Sequence, residues 1–138
     1  MNDAIRKIHE AFDRKGLKHK VDQMGGASII HTGMSGDNST YQFIFIKQDD
    51  KGNDVTLRAV KLAHFPAHRK AEVCRLLNSF QAEYRYAKFV MEESGDIYIG
   101  YDFPTICNDI GEAAVEVLLM LSNIADKCYP KLMKLQWR

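Results

Sequence analysis

The chain has 138 residues, 46% of them hydrophobic and 27% charged, with 19 Lys and Arg against 18 Asp and Glu. That size and composition suit one domain with its own core, residues 1–138, and argue against disorder or a collagen-like chain. The near cancellation of charge excludes a strongly basic nucleic-acid coat or an acidic tail as the main theme, so no nucleic-acid partner is expected.

The longest apolar run, Val117-Leu118-Leu119-Met120-Leu121, lies between Glu116 and Ser122 and falls far short of a membrane span. Met1-Asn2-Asp3-Ala4 carries no apolar signal core. Cys74, Cys107 and Cys128 form no C-x-x-C pair. Cys74, among Val73, Leu76 and Leu77, and Cys128, on the apolar stripe of the last helix, read as small core residues. Together these features predict a cytoplasmic protein with no membrane partner and no disulfide framework.

In chain order, Ile5, Ile8 and Phe12 predict a helix over about Asp3 to Lys15, capped by Asn2 or Asp3 and stopped by Gly16. A weak strand over Lys18 to Asp22 reaches the Gly25-Gly26 turn, and a second over Ala27 to Thr32 runs into a loop from Gly33 to Asn38. Tyr41 to Ile46 is the strongest strand. Its odd positions are aromatic and two even positions are isoleucine, which predicts a central strand covered wholly or partly on both faces. The polar stretch Asp49 to Asp54 leads into a strand from Val55 to Leu62, whose apolar face changes near Ala59 and predicts a bulge there.

Pro66 suits the first turn of a second helix reaching Gln81, with Val73, Leu76, Leu77 and Phe80 as its stripe. Tyr84 to Met91 and Ile97 to Phe103 predict a hairpin closed by Pro104. The last helix opens on the Asp109 and Glu112 capping pair and is expected to end near Cys128, because Pro130 opposes continuation. The order is α-β-β-β-(β)-α-β-β-α: an α+β fold with an antiparallel sheet of about five to six strands and helices packed on one face.

Little in the sequence converges on catalysis. His64 and His68 stand four apart, but Pro66 interrupts the helical spacing and no acidic partner of a zinc motif follows. Cys107 sits near the start of the last helix, which favours a thiolate, yet no histidine is placed beside it by the sequence. His64, His68 and Cys107 define an alternative reading as a small-ligand or metal-binding domain or an enzyme. The leading expectation is no catalytic residue, no metal ligand and no cofactor. Arg85-Tyr86-Ala87-Lys88-Phe89-Val90 echoes an RNA-binding strand, but Ala87 stands where a stacking ring belongs.

The last helix is more apolar than one sheet contact requires. Val115, Leu119 and Met120 widen its stripe, and Trp137 follows beyond it. These four residues are the candidate partner or homodimer interface. The alternative is that the N-terminal helix or the tail with Trp137 covers them within one subunit.

Several spaced features carry a resemblance: Ala11-Phe12, Val21-Asp22 before Gly25-Gly26, and Leu76-Leu77-Asn78. Tyr84-Arg85-Tyr86-Ala87-Lys88-Phe89, Gly95-Asp96, Tyr101-Asp102-Phe103-Pro104 and Tyr129-Pro130-x-Leu132-Met133 complete it. In their order and spacing the chain resembles the YbjN-domain family over nearly its whole length, with Gln81 in place of an expected second Asn. The resemblance implies a fold similar to class I type III secretion chaperones. It implies a non-enzymatic protein-binding or regulatory module, homodimeric, that captures an extended segment of a protein partner.

Overall fold

Helix α1 covers Asp3–Lys15 in a computed structural model that describes residues 2–138. Asn2 caps it by accepting from the Ala4 N–H at 2.8 Å, and Gly16 ends it in the left-handed region at φ 69°. Ile5, Ile8, Ala11 and Phe12 form its buried stripe. Four strands follow, β1 (Lys20–Met24), β2 (Ala27–Ser35), β3 (Thr40–Gln48) and β4 (Asp54–His64). A 3-10 turn at Ala67–Arg69 leads to α2 (Lys70–Glu83), then β5 (Lys88–Met91), β6 (Asp96–Pro104) and α3 (Ile110–Gln136).

The six strands make one sheet in the order β1-β2-β3-β4-β6-β5, with every neighbouring pair antiparallel. Its register places Ile30 beside Phe45, Phe45 beside Leu57 and Leu57 beside Tyr101, a row across the sheet on its core face. Those side chains meet Ile5 and Phe12 of α1, Val73 and Phe80 of α2, and Leu118 and Leu121 of α3 in one hydrophobic core. The fold is therefore α+β, with three helices and a six-stranded antiparallel sheet.

The bulge expected near Ala59 is present as a shift in register between Ala59 and Ala63, with Lys61 at φ 53°. Other boundaries move. β1 starts two residues late because Thr32 donates its hydroxyl to the Lys18 carbonyl outside the ladder, at 2.8 Å. β2 continues to Ser35, since Gly33, Met34 and Ser35 pair with Gln42, Tyr41 and Thr40. Pro66 is extended at ψ 154° and precedes the 3-10 turn, so α2 begins only at Lys70. β5 is four residues long, and Tyr84 to Ala87 lie outside it.

The stop expected near Cys128 does not occur: α3 runs through Pro130 to Gln136. The carbonyl that Pro130 leaves without a helical donor is met by Asn38 from the β2–β3 loop. Cys128 is buried as expected, whereas Cys74 is exposed, because it sits one helical step from Val73 and off the buried stripe. Among the described residues, no helix is long and apolar enough to cross a membrane.

Candidate protein-contact surface

Two-residue periodicity puts the aromatic positions of β3 on the core face and Gln42, Ile44, Ile46 and Gln48 on the other. On that second face Ile29 stands opposite Ile46, and His31 opposite Ile44. Ile44 in turn faces Arg58, and Ile46 faces Thr56. Ile29 is buried, Ile44 and Ile46 are half-buried, Met24 at the end of the face is exposed, and none of these residues belongs to the core shared with the helices. An antiparallel sheet usually turns polar residues to its open side. Here a compact group of isoleucines occupies the middle of it.

Polar chemistry frames the group. The Arg58 guanidinium lies 4.3 Å from the centre of the Tyr98 ring and, among the described residues, pairs with no carboxylate. Thr56 donates its hydroxyl to Asp102 at 2.6 Å, and Lys88 reaches the same carboxylate at 3.7 Å. The face thus offers apolar purchase and one unpaired guanidinium.

On α3 the four sequence-predicted residues separate. Val115 is only 7% exposed and belongs to the core, which removes it from any surface. Met120 is half-buried against that core, while Leu119 is 49% and Trp137 80% exposed. α1 packs on the start of α3, where Gly111 approaches Ala11 and the Lys7 carbonyl, whereas Trp137 is left largely in solvent. The exposed side of α3 is also divided in charge, with Glu116 toward its start and Lys127, Lys131 and Lys134 toward its end.

His64, His68 and Cys107 are not brought together. His64 Nδ1 pairs with Asp96 at 2.9 Å, His68 is exposed in the 3-10 turn, and the Cys107 thiol donates to the Pro104 carbonyl at 3.0 Å. The Tyr84 ring packs on Phe89, with centroids 6.2 Å apart, instead of lying open on a strand. The sequence reading passed over His9, Asp13 and His19, whose ligating atoms all lie within 4.8 Å of one another. The signal was available: His9 and Asp13 are four apart on a predicted helix, and His19 follows its glycine stop by three residues.

A family model for YbjN, described as "Putative bacterial sensory transduction regulator", matches residues 5–131. Among solved structures, the chain is similar to the crystal structure of YbjN from E. coli, described there as "a putative transcription regulator". The TM-score is 0.58, with 10% identity and coverage of 92% of each chain. At that identity the likeness is one of fold. No curated protein matches the chain by sequence.

Proposed function

The chain belongs to the YbjN family, and from that premise we propose that it is a non-enzymatic regulatory module acting in the cytoplasm through contact with another protein. The observation that carries this reading is the pair of half-buried isoleucines, Ile44 and Ile46, on the sheet face opposite the helices. Its occupant is an extended segment of a protein partner, held in the manner of a chaperone. Apolar side chains of that segment rest on Ile44 and Ile46, and an acidic one meets Arg58. Exposed Cys74 suits a reducing compartment.

The test is affinity purification from the native host with the wild type and an Ile44→Asp/Ile46→Asp variant, each checked for folding by circular dichroism. A specific partner that co-purifies with the wild type and is lost with the folded variant supports the reading. Retention of the partner by the variant overturns it.

A self-contact on α3 is favoured by the exposure of Leu119 and Trp137 and by the charge division along the helix. Antiparallel pairing of two copies would bring Glu116 of one near the Lys131 and Lys134 end of the other, an isologous arrangement. Light scattering on the wild type and Leu119→Asp tests it. A wild type that stays monomeric at micromolar concentration removes the homodimer and leaves the sheet-face reading standing.

A further inference from the structure

We propose that His9, Asp13 and His19 form a binding site for a divalent transition-metal ion of the zinc class. His9 and Asp13 stand four apart on α1 and so share one side of the helix. Gly16 then turns the chain back, with the Leu17 N–H donating to the Phe12 carbonyl at 2.9 Å, and this return lays His19 against the same side of α1. The site joins the last turns of α1 to the residue before edge strand β1.

The hydrogen bonds fix how the imidazoles present themselves. His19 Nδ1 lies 2.7 Å from the Leu17 carbonyl, which can only accept, so Nδ1 carries the hydrogen. The lone pair of His19 Nε2 therefore points into the cluster, 2.6 Å from His9 Nδ1 and 3.8 Å from Asp13. A second nitrogen anchored on a backbone carbonyl is the usual support of a metal-bound histidine. The His19 side chain is 5% exposed, and the Phe12 ring meets it edge-on at a centroid distance of 5.2 Å, so the ligand is held in place beforehand.

Charge calls for a cation in this position. His9 sits between two acceptors, with the His19 lone pair at one ring nitrogen and an Asp13 carboxylate oxygen 3.4 Å from the other. A neutral imidazole has one hydrogen and satisfies only one of them. A proton added to His9 would satisfy both. A metal replacing the His9–His19 hydrogen bond would instead take the lone pairs of His9 Nδ1 and His19 Nε2, leave the hydrogen on His9 Nε2 facing Asp13 Oδ2, and find Asp13 Oδ1 on the His19 side. Zinc bonds of about 2.0–2.1 Å in a tetrahedron set ligand atoms about 3.3 Å apart. His9 Nδ1 and His19 Nε2, now 2.6 Å apart, would therefore part slightly, and the Asp13 carboxylate, now 3.8 Å from His19 Nε2, would draw in. Two imidazoles and one carboxylate with solvent at the fourth position match that metal's donor preference. Asp13 is well exposed, which leaves the fourth position to water.

Zinc itself is the probe, added to untagged full-length protein, with bound metal measured after dialysis and cobalt used to read tetrahedral geometry by visible absorption. The expected result is one zinc retained per chain, a tetrahedral cobalt spectrum, and a rise in melting temperature with zinc. His9→Ala and Asp13→Asn should each weaken binding at least about tenfold, whereas His64→Ala should leave it unchanged. Both test variants lie on the surface of α1, and metal-free melting checks that they fold. No saturable binding at micromolar zinc overturns the proposal, as a cation role filled by a proton alone would require. So does equal binding by the wild type and either His9→Ala or Asp13→Asn.

Discussion

Asn38 donates its side-chain amide to the backbone carbonyl of Asp126 at 2.9 Å, across 88 residues of sequence. That carbonyl is the one a residue at position 130 would bond in a regular helix, and Pro130 has no N–H to offer. The β2–β3 loop thus completes the helix it rests on. Its backbone takes part as well: the N–H groups of Asp37 and Asn38 each donate to the Asp126 carboxylate at 2.9 Å.

A double-mutant cycle isolates this relationship. Asn38→Ala alone should cost about 1 kcal/mol, the usual net worth of one hydrogen bond. In a Pro130→Ala background the restored N–H supplies the Asp126 carbonyl, so the same change should cost close to nothing. Urea denaturation of the four proteins gives the coupling. Additive costs would mean that Asn38 does not stand in for the missing donor.

Asp126 makes the same junction sensitive to acid. The Tyr41 hydroxyl donates to it at 2.6 Å, and with the Asn38 and Asp37 N–H groups it holds the carboxyl below its ordinary value of 3.8. A value lowered in the folded state adds stability that is complete above the unfolded value and disappears as pH falls through the folded one. Urea midpoints of the wild type and Asp126→Asn should therefore differ by a constant amount from about pH 5 to pH 8, then converge in acid below about pH 4. A gap that persists in acid would show that the carboxylate's charge is not what the loop uses.

Much of this architecture was legible in local pattern. The alternation of Tyr41, Phe43 and Phe45 with Ile44 and Ile46 identified β3, and the change of apolar face after Ala59 marked the bulge. Patterns of that kind fail where the partner is distant. Nothing near Pro130 announces a donor from Asn38, and only tertiary packing decides that Val115 is core while Leu119 is surface. The isoleucines of β3 were visible, but their exposure depends on all three helices choosing the opposite face. The histidine cluster likewise waits on the Gly16 turn to bring residue 19 back to residues 9 and 13.

The cysteines offer a chemical check on burial. Cys74 is exposed, whereas burial and then the nearby Glu83 push the Cys128 thiol up to about 12. Because the thiolate is the reacting form, iodoacetamide at about pH 8 should modify Cys74 in the native protein and reach Cys128 only after unfolding. Mass spectrometry of timed digests assigns the sites. Modification of Cys128 as fast as Cys74 would contradict the burial of the second half of α3.

Gly111 tests the seam between the first and last helices. A methyl group added there would lie 2.8 Å from the Ala11 Cβ and 2.8 Å from the Lys7 carbonyl oxygen, the second of these being backbone. Helix propensity alone favours Gly111→Ala by up to about 1 kcal/mol. Overpacking against a neighbouring helix costs about 1–3 kcal/mol, and the fixed carbonyl makes that the larger effect, so the variant should be destabilised. Adding Ala11→Gly relieves the side-chain clash and leaves the carbonyl clash in place. The double variant should therefore remain less stable than Ala11→Gly alone, as thermal or urea unfolding would measure. A Gly111→Ala protein more stable than the wild type would mean that α1 and α3 do not approach this closely.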